Sequence, residues 1–407
     1  MMTIKSSALK GKVVRTQVGI IGAGPAGLVL AHLLHLHGIE SVILEVRSRD
    51  HVEHRIRAGV LEHGTVDLLC ATGVGDRLIQ QGLVHHGIEL RYEQQAHRVP
   101  MSDLAEGRTI TLYGQHEVVK DLIAARMEVG PLLFEAEAVG LEGLASSPAI
   151  QYCHNGADRQ LQCDFIAGCD GFHGVARAAI PQQIRTTFDY SYPLSWLGIL
   201  AEVAPSTDEL IYAAHDRGFA LHSLRSPEVS RLYIQVDPND DIADWSDGRI
   251  WDELHVRLER NGGWTLKEGS VLEKGITAMR AFATEPMQHG RLFIAGDAAH
   301  IVPPTGAKGL NLAVADVCIL ADGVAAFYDS GDTTALGRYS QRCLQRVWRT
   351  LHFSNWMTAM LHRFPDEDEF ERRLRFAQLH YVNTSTAAAT TLAENYVGLP
   401  MESSFLN

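Results

Sequence analysis

The stretch Gln17-Val18-Gly19-Ile20-Ile21-Gly22-Ala23-Gly24-Pro25-Ala26-Gly27 decides how this 407-residue chain folds. Gln17 to Ile21 reads as a short buried strand. Gly22, Gly24 and Gly27 then follow the spacing G-x-G-x-x-G, and an apolar helix is expected from about Pro25 to His37. Ser41 to Glu45 reads as a second short strand. Strand, glycine turn, helix and strand in that order predict a parallel sheet with a right-handed crossover. Gly22 permits the tight turn, Gly24 lets a pyrophosphate approach the backbone, and Gly27 lets helix and strand pack closely. The helix N-terminus offers free N–H groups and a favourable dipole to phosphate. Glu45, closing the second strand, stands where a carboxylate takes ribose hydroxyls. The expectation is a dinucleotide site.

The rest of the composition narrows the class. Hydrophobic residues make up 46% and charged residues 21%, ordinary for globular material, and the length suits two or three domains. A net charge of −13 without a long basic run argues against nucleic acid as a partner. Six cysteines, none in a C-x-x-C pair, give no zinc framework and no dense disulfide pattern, so a reducing cytoplasm is expected. Thr16 to Ile39 carries no formal charge and follows Lys5, Lys10, Lys12 and Arg15, as a signal peptide or membrane anchor would. Its glycines, Pro25 and histidines fit a lipid-spanning helix poorly, and no membrane association is expected. The 20 histidines show no metal-ligand spacing, so no metal is assigned. Residues 1–14 lack apolar periodicity and read as a loose extension.

Further along, Phe219, Leu221, Ser223 and Arg225 alternate with their neighbours, so a strand places them on one face. Arg231, Tyr233 and Gln235 do the same on the next candidate strand, and Ser226-Pro227-Glu228 suits the hairpin loop between them. Pairing Arg225 with Arg231 would set Ser223 opposite Tyr233. An antiparallel sheet with Ser, Arg and Tyr on one wall follows. Leu292 to Ala295 reads as another apolar strand, ending in Gly296-Asp297-Ala298-Ala299-His300, with Pro303-Pro304, Gly306, Gly309 and Asn311 before a helix. No second dinucleotide fingerprint is found. Leu344, Val347, Trp348 and Leu351 follow the spacing of a buried helical stripe, with Trp348 and Trp356 expected in the core or a subunit interface. Asp366 to Glu369 reads as an acidic helix start.

Several motifs in order carry a specific resemblance. They are the glycine fingerprint, Arg55-Ile56-Arg57-Ala58-Gly59-Val60-Leu61-Glu62, Asp170-Gly171-Phe172-His173-Gly174, the run from Pro286 to Asn311, and Glu394-Asn395-Tyr396-Val397-Gly398-Leu399-Pro400. From about Thr16 onward the chain resembles the single-component aromatic flavoprotein hydroxylases. The resemblance implies an α/β fold with a Rossmann-like FAD-binding domain and an antiparallel-sheet substrate domain. The first part of the FAD-binding domain would span 15–186 and the substrate domain 187–285, with 286–407 completing the FAD-binding part and adding a C-terminal helical region. The implied reaction is hydroxylation of 4-hydroxybenzoate to 3,4-dihydroxybenzoate with NADPH or NADH and O2, through a flavin hydroperoxide. Another benzoate, or a flavin-binding NAD(P)H oxidase or regulatory module without oxygenation, is the alternative. A cytoplasmic homodimer is implied as well.

The residue assignments come with the resemblance. Tyr212 would bond the substrate phenol and favour the phenolate. Tyr396 would continue a proton chain to His85, a residue type whose pKa near neutrality suits a solvent end. Arg225 would take the substrate carboxylate, with Ser223 and Tyr233 adding bonds. Trp196, Leu210 and Leu221 match apolar pocket positions, and Pro304 a backbone contact near the reacting ring. Besides Gly22, Gly24 and Gly27, the residues Glu45, Arg57, Gln115 and Asp297 match FAD contacts, with Lys308 and Asn311 near the isoalloxazine. Arg55, His173 and Arg280 match positions for the nicotinamide nucleotide. By residue type alone, each tyrosine also reads as a packed ring with a satisfied hydroxyl, and the arginines as surface charge. Ala26 stands where many relatives have Ser, and Val46-Arg47 and His51 depart from the NADPH-preferring pattern, so nucleotide preference stays open.

Overall fold

The structure is a computed structural model and describes residues 14–55 and 59–406. Arg57, and all but the last residue of the expected N-terminal extension, lie outside the described residues.

The opening stretch folds as its pattern requires. The strand Val18–Ile21 runs parallel to Ser41–Leu44 on one side and to Phe165–Gly168 on the other, with the helix Pro25–Leu36 between the first two. The six-stranded sheet has the order Gln288–His289, Leu292–Ile294, Phe165–Gly168, Val18–Ile21, Ser41–Leu44, Leu132–Leu133. All its pairings are parallel except that of the two edge strands 288–289 and 292–294. Val18, Ile20 and Ile43 lose nearly all solvent contact, because the helix Pro25–Leu36 covers one face of the parallel sheet and the strands Ala149–His154 and Ala157–Gln162 pack on the other. Gly22, Glu45, Asp170 and Gly296 all follow the carboxyl ends of these strands, the edge where such sheets bind ligands.

The second large sheet is mixed and eight-stranded, in the order His300–Ile301, Ser270–Glu285, Thr186–Glu202, Ser230–Val236, Ala220–Leu224, Leu210–Ala213, Ile88–Tyr92, Gln95–Val99. Strands 88–92 and 95–99 come from within the first expected segment, so this sheet is not drawn from 187–285 alone. Alternation sorts its faces. Leu197, Ile211, Ala220 and Ile234 pack with the helix Asp247–Arg257. Trp196, Tyr212, Phe219 and Leu221 point the other way, into a cluster shared with the C-terminal helices Tyr339–Leu361, Glu369–Thr384 and Thr386–Val397.

Two local expectations are corrected. The hairpin pairs Ser223 with Arg231 and Leu221 with Tyr233, two residues tighter than the sequence suggested. Arg225 instead donates its backbone N–H to Val229 across Ser226-Pro227-Glu228. A shift of two preserves the face of every side chain, so the wall survives the correction. Trp348 is 41% exposed, outside the core. The buried stripe runs through Tyr339, Cys343, Val347 and Leu351, and Trp348 stacks edge-on against the exposed Phe188 while its Nε1 donates to Glu285. The acidic helix start is confirmed by a capping box between Asp368 and Glu371. Helix Gly309–Ser330 has the length and mean hydropathy (1.8) of a membrane span, yet 78% of that window is buried within the fold.

Candidate active site

The glycine turn is shaped as a cradle. Gly22 has φ +102°, and a Cβ there would meet the Cys169 carbonyl oxygen at 2.3 Å. A Cβ on Gly27 would lie 2.0 Å from the Gly22 oxygen, the price of close helix–strand packing. Gly24, at the helix N-cap, faces open space, with nothing within 4 Å of the Cβ position. One glycine therefore has room in front of it while its neighbours are wedged against backbone. Glu45 is buried and holds the turn, accepting from the backbone N–H of Ala23 at 2.7 Å and of Arg47 at 2.8 Å. Beyond it opens a cleft of about 410 Å3 lined by Arg47, His51, Glu135 and Glu137 among others. Asp297 lies in the single turn Gly296–Ala298 after strand Leu292–Ile294, and Gln115 opens the helix Gln115–Val129.

Lys308 and Asn311 brace the start of helix Gly309–Ser330. The Lys308 ammonium is 3% exposed and lies 2.9 Å from Glu62 Oε1 and 2.7 Å from the Tyr396 carbonyl oxygen. Burial pushes its pKa down, with Glu62 acting in the opposite sense. The Asn311 amide donates to the Val60 and Ala307 oxygens and accepts from the Glu62 N–H. Glu62 thus joins both residues. Its side chain stood in a recognised motif, but nothing in sequence pointed to that junction.

The wall of the eight-stranded sheet presents the aromatic pocket residues together. Tyr212 and Tyr396 are buried with hydroxyl oxygens 2.5 Å apart, and Tyr212 also reaches the Thr305 carbonyl at 3.2 Å. Burial raises both phenol pKa values above the ordinary one, so both hydroxyls keep their protons at neutral pH. Leu221 pairs with Tyr212 across the sheet, Leu210 is buried in the same cluster, and Trp196 stacks on Phe219 at 5.2 Å. The Trp196 indole donates to His362 Nε2 at 2.7 Å, while the other ring nitrogen of His362 donates to the Thr358 carbonyl. His362 was not picked out from sequence, because its Trp partner lies 166 residues away. Pro304 is exposed beside the buried Thr305.

At the other end, Ser223 is buried, the Tyr233 hydroxyl accepts from Arg231 Nε at 2.6 Å, and Arg225 Nη2 lies 2.7 Å from His116 Nδ1. With a strand rise of roughly 3.3 Å per residue, Arg225 stands about 13 Å along the sheet from Leu221 and hence from its partner Tyr212.

Not every expected residue joins this arrangement. His85 is buried, and among the described residues neither of its ring nitrogens finds a hydrogen-bond partner. Burial pushes its pKa down to about 4. The expected near-neutral pKa is therefore corrected, and among the described residues no hydrogen bond joins His85 to Tyr396. His173 and Arg280 both meet the Phe172 ring, His173 edge-on with centroids 5.0 Å apart and the Arg280 guanidinium 4.1 Å over it. Arg280 also pairs with Asp189, Nε to Oδ1 at 2.7 Å, whereas Arg55 is exposed just before the undescribed residues 56–58.

Residues 15–354 match the family described as FAD binding domain. The p-hydroxybenzoate hydroxylase of Acinetobacter baylyi is 51% identical over 389 residues, covering 95% of this chain and 96% of that protein. The phenazine 1,6-dicarboxylic acid hydroxylase of Lysobacter antibioticus is 28% identical over 366 residues, covering 80% and 86%. Among solved structures, the p-nitrophenol 4-monooxygenase of Pseudomonas putida superposes with a TM-score of 0.81 at 18% identity, covering 93% of this chain and 97% of that one.

Proposed function

The chain belongs to the FAD binding domain family, and from that premise we propose that it is an FAD-dependent monooxygenase converting 4-hydroxybenzoate to 3,4-dihydroxybenzoate with NAD(P)H and O2. The observation that carries the substrate is the pair of protonated tyrosine hydroxyls at one end of an apolar wall and Arg225 at the other. A para-hydroxylated aromatic acid matches that polarity end for end.

The residues fit FAD. The open space before Gly24 would take the pyrophosphate at the helix N-terminus, and Glu45, which already accepts from the Ala23 and Arg47 N–H groups, would take the ribose hydroxyls with its remaining lone pairs. Gln115 and Asp297 would add contacts to the cofactor, and Lys308 and Asn311, which brace the start of helix Gly309–Ser330, would hold the segment near its ring. Bound FAD supplies acceptance of two electrons from NAD(P)H and activation of O2.

The chain's own groups prepare the ring. Tyr212 stays protonated and donates to the substrate's phenolic oxygen, which favours the phenolate and makes the ring electron-rich. Tyr396 would relay a proton with the Tyr212 hydroxyl, releasing its own as it receives one. Arg225 binds the carboxylate in a planar, charge-assisted pair, with Ser223 and Tyr233 fixing its orientation. Trp196, Leu210 and Leu221 exclude water, and Pro304 borders the reacting carbon. His173 and Arg280, with Arg55, receive the nicotinamide nucleotide, Arg280 exchanging Asp189 for a phosphate. His85 joins the proton path only when water or a side-chain movement bridges it to Tyr396. The same reading makes the enzyme a cytoplasmic homodimer.

The test follows NADH and NADPH oxidation by the FAD-loaded protein with and without 4-hydroxybenzoate, measuring dihydroxylated product and hydrogen peroxide. Stimulation with product matching nucleotide consumed is expected. Peroxide alone would make 4-hydroxybenzoate an effector, and no stimulation would remove the assignment.

A further inference from the structure

We propose that His116 is a positioning residue for the carboxylate end of the substrate, fixing the Arg225 guanidinium against the start of the helix Gln115–Val129. The inference rests on the reading of Arg225 given above. A guanidinium has only donors, so at 2.7 Å the His116 Nδ1 accepts from Arg225 Nη2. The ring proton is then on Nε2, 2.9 Å from Glu117 Oε1. The Arg225 bond thus sets the tautomer, and the Glu117 carboxylate beside Nε2 favours the same one.

The brace extends behind it. Glu117 takes Lys120 at 2.8 Å and the guanidinium of Arg77, Arg77 also reaches Asp121, and Asp121 Oδ2 accepts from Tyr113 at 2.7 Å. Burial opposes ionisation of Glu117, but its bonds to Lys120 and Arg77, with His116, outweigh this and hold the carboxyl at about 2. Burial, then the Arg225 charge, pushes His116 down to about 4, so it remains an acceptor at neutral pH. The groups that act on it are Arg225, Glu117, Lys120 and His54.

The backbone is shaped for the same contact. A Cβ at Gly114 would lie 2.9 Å from Arg225 Nη2 and 2.6 Å from His116 Cε1, so glycine leaves room for both groups. Helix stability does not explain the arrangement, since a cation beside a helix N-terminus opposes the dipole. An anion is what that place favours, and the substrate carboxylate is the anion proposed here. A guanidinium already held in one orientation loses less freedom when it binds. The same helix carries Gln115, so the contact joins the substrate's carboxylate end to an element assigned to the cofactor.

The experiment titrates FAD-loaded protein with 4-hydroxybenzoate and with phenol, which lacks the carboxylate, following flavin fluorescence. His116→Phe keeps a ring without nitrogens and is expected to raise the 4-hydroxybenzoate Kd about tenfold while leaving that of phenol unchanged. His116→Asn restores an acceptor and should return the Kd to within about threefold of the parent. If the Phe variant fails to hold FAD, His116→Ala is read in the same way. An unchanged Kd, or equal weakening of both ligands, overturns the role of His116. Arg225→Lys is measured alongside. If it weakens 4-hydroxybenzoate while the His116 variants do not, the inference alone fails, and if neither changes the Kd, the reading of Arg225 fails with it.

Discussion

A Tyr212 hydroxyl with its proton held by burial can stabilise a phenolate only by donating to it, so its removal should separate two activities. Tyr212→Phe is expected to keep substrate-stimulated nucleotide oxidation measurable. Product should form about 10²-fold more slowly, with the electrons appearing as hydrogen peroxide. Unchanged coupling of product to nucleotide would take Tyr212 off the phenol. At this scale the sequence was informative wherever a residue's face could be counted: alternation alone put Leu221, Ser223 and Arg225 on one wall. It was silent on partners that only folding brings together. His116 follows Gln115 directly, yet its Arg225 lies 109 residues away, and His362 meets Trp196 across 166. His85 shows the opposite limit. Its residue type suggested a near-neutral pKa, and its burial removes it, because the charged imidazole is penalised wherever water is excluded.

Elements were legible to the extent that their ends carry chemistry. The glycine turn and the flanking strands emerged with nearly the expected bounds, and the three glycines divide into two that fill a packing need and one that faces space. That division is testable. Gly27→Ala should cost the apoprotein stability by several degrees in Tm, since its Cβ would press on the Gly22 oxygen. Gly24→Ala should leave apoprotein Tm unchanged and weaken FAD at least about tenfold, because the added methyl would enter only the open space proposed for the pyrophosphate. Equal FAD affinity in Gly24→Ala would move the cofactor elsewhere. The hairpin register was not legible, since Ser226-Pro227-Glu228 fits more than one closing pair and a shift of two changes no side chain's face.

Across the whole molecule, burial lowers the pKa of His85, His116 and His222 to about 4 and of His362 to about 3. In the unfolded chain each would take its proton near pH 6.5. The folded state therefore binds fewer protons, and its stability is fully present above about pH 6.5 and declines as pH falls towards 4. The slope is up to about 1.4 kcal/mol per pH unit for each fully buried group and less for His116, which is only half buried. A urea midpoint at pH 5 clearly below that at pH 7.5 is expected, and an equal or higher one would contradict it. Sheet membership was the part least readable from sequence. Parallel pairing of Ile88–Tyr92 with Leu210–Ala213 joins residues more than a hundred positions apart, and no local pattern announces it.

That pairing bears on how such a chain can acquire a new substrate. The wall carrying Tyr212 and Arg225 is finished by strands 88–92 and 95–99, which the chain lays down before it completes the six-stranded sheet. A chimaera that exchanged 187–285 for the equivalent stretch of a relative would graft foreign strands onto a native edge, leaving the seam beside the proposed substrate site. New specificity is therefore accessible by single replacements along the wall, and recombination of contiguous gene segments would break the surface it set out to change.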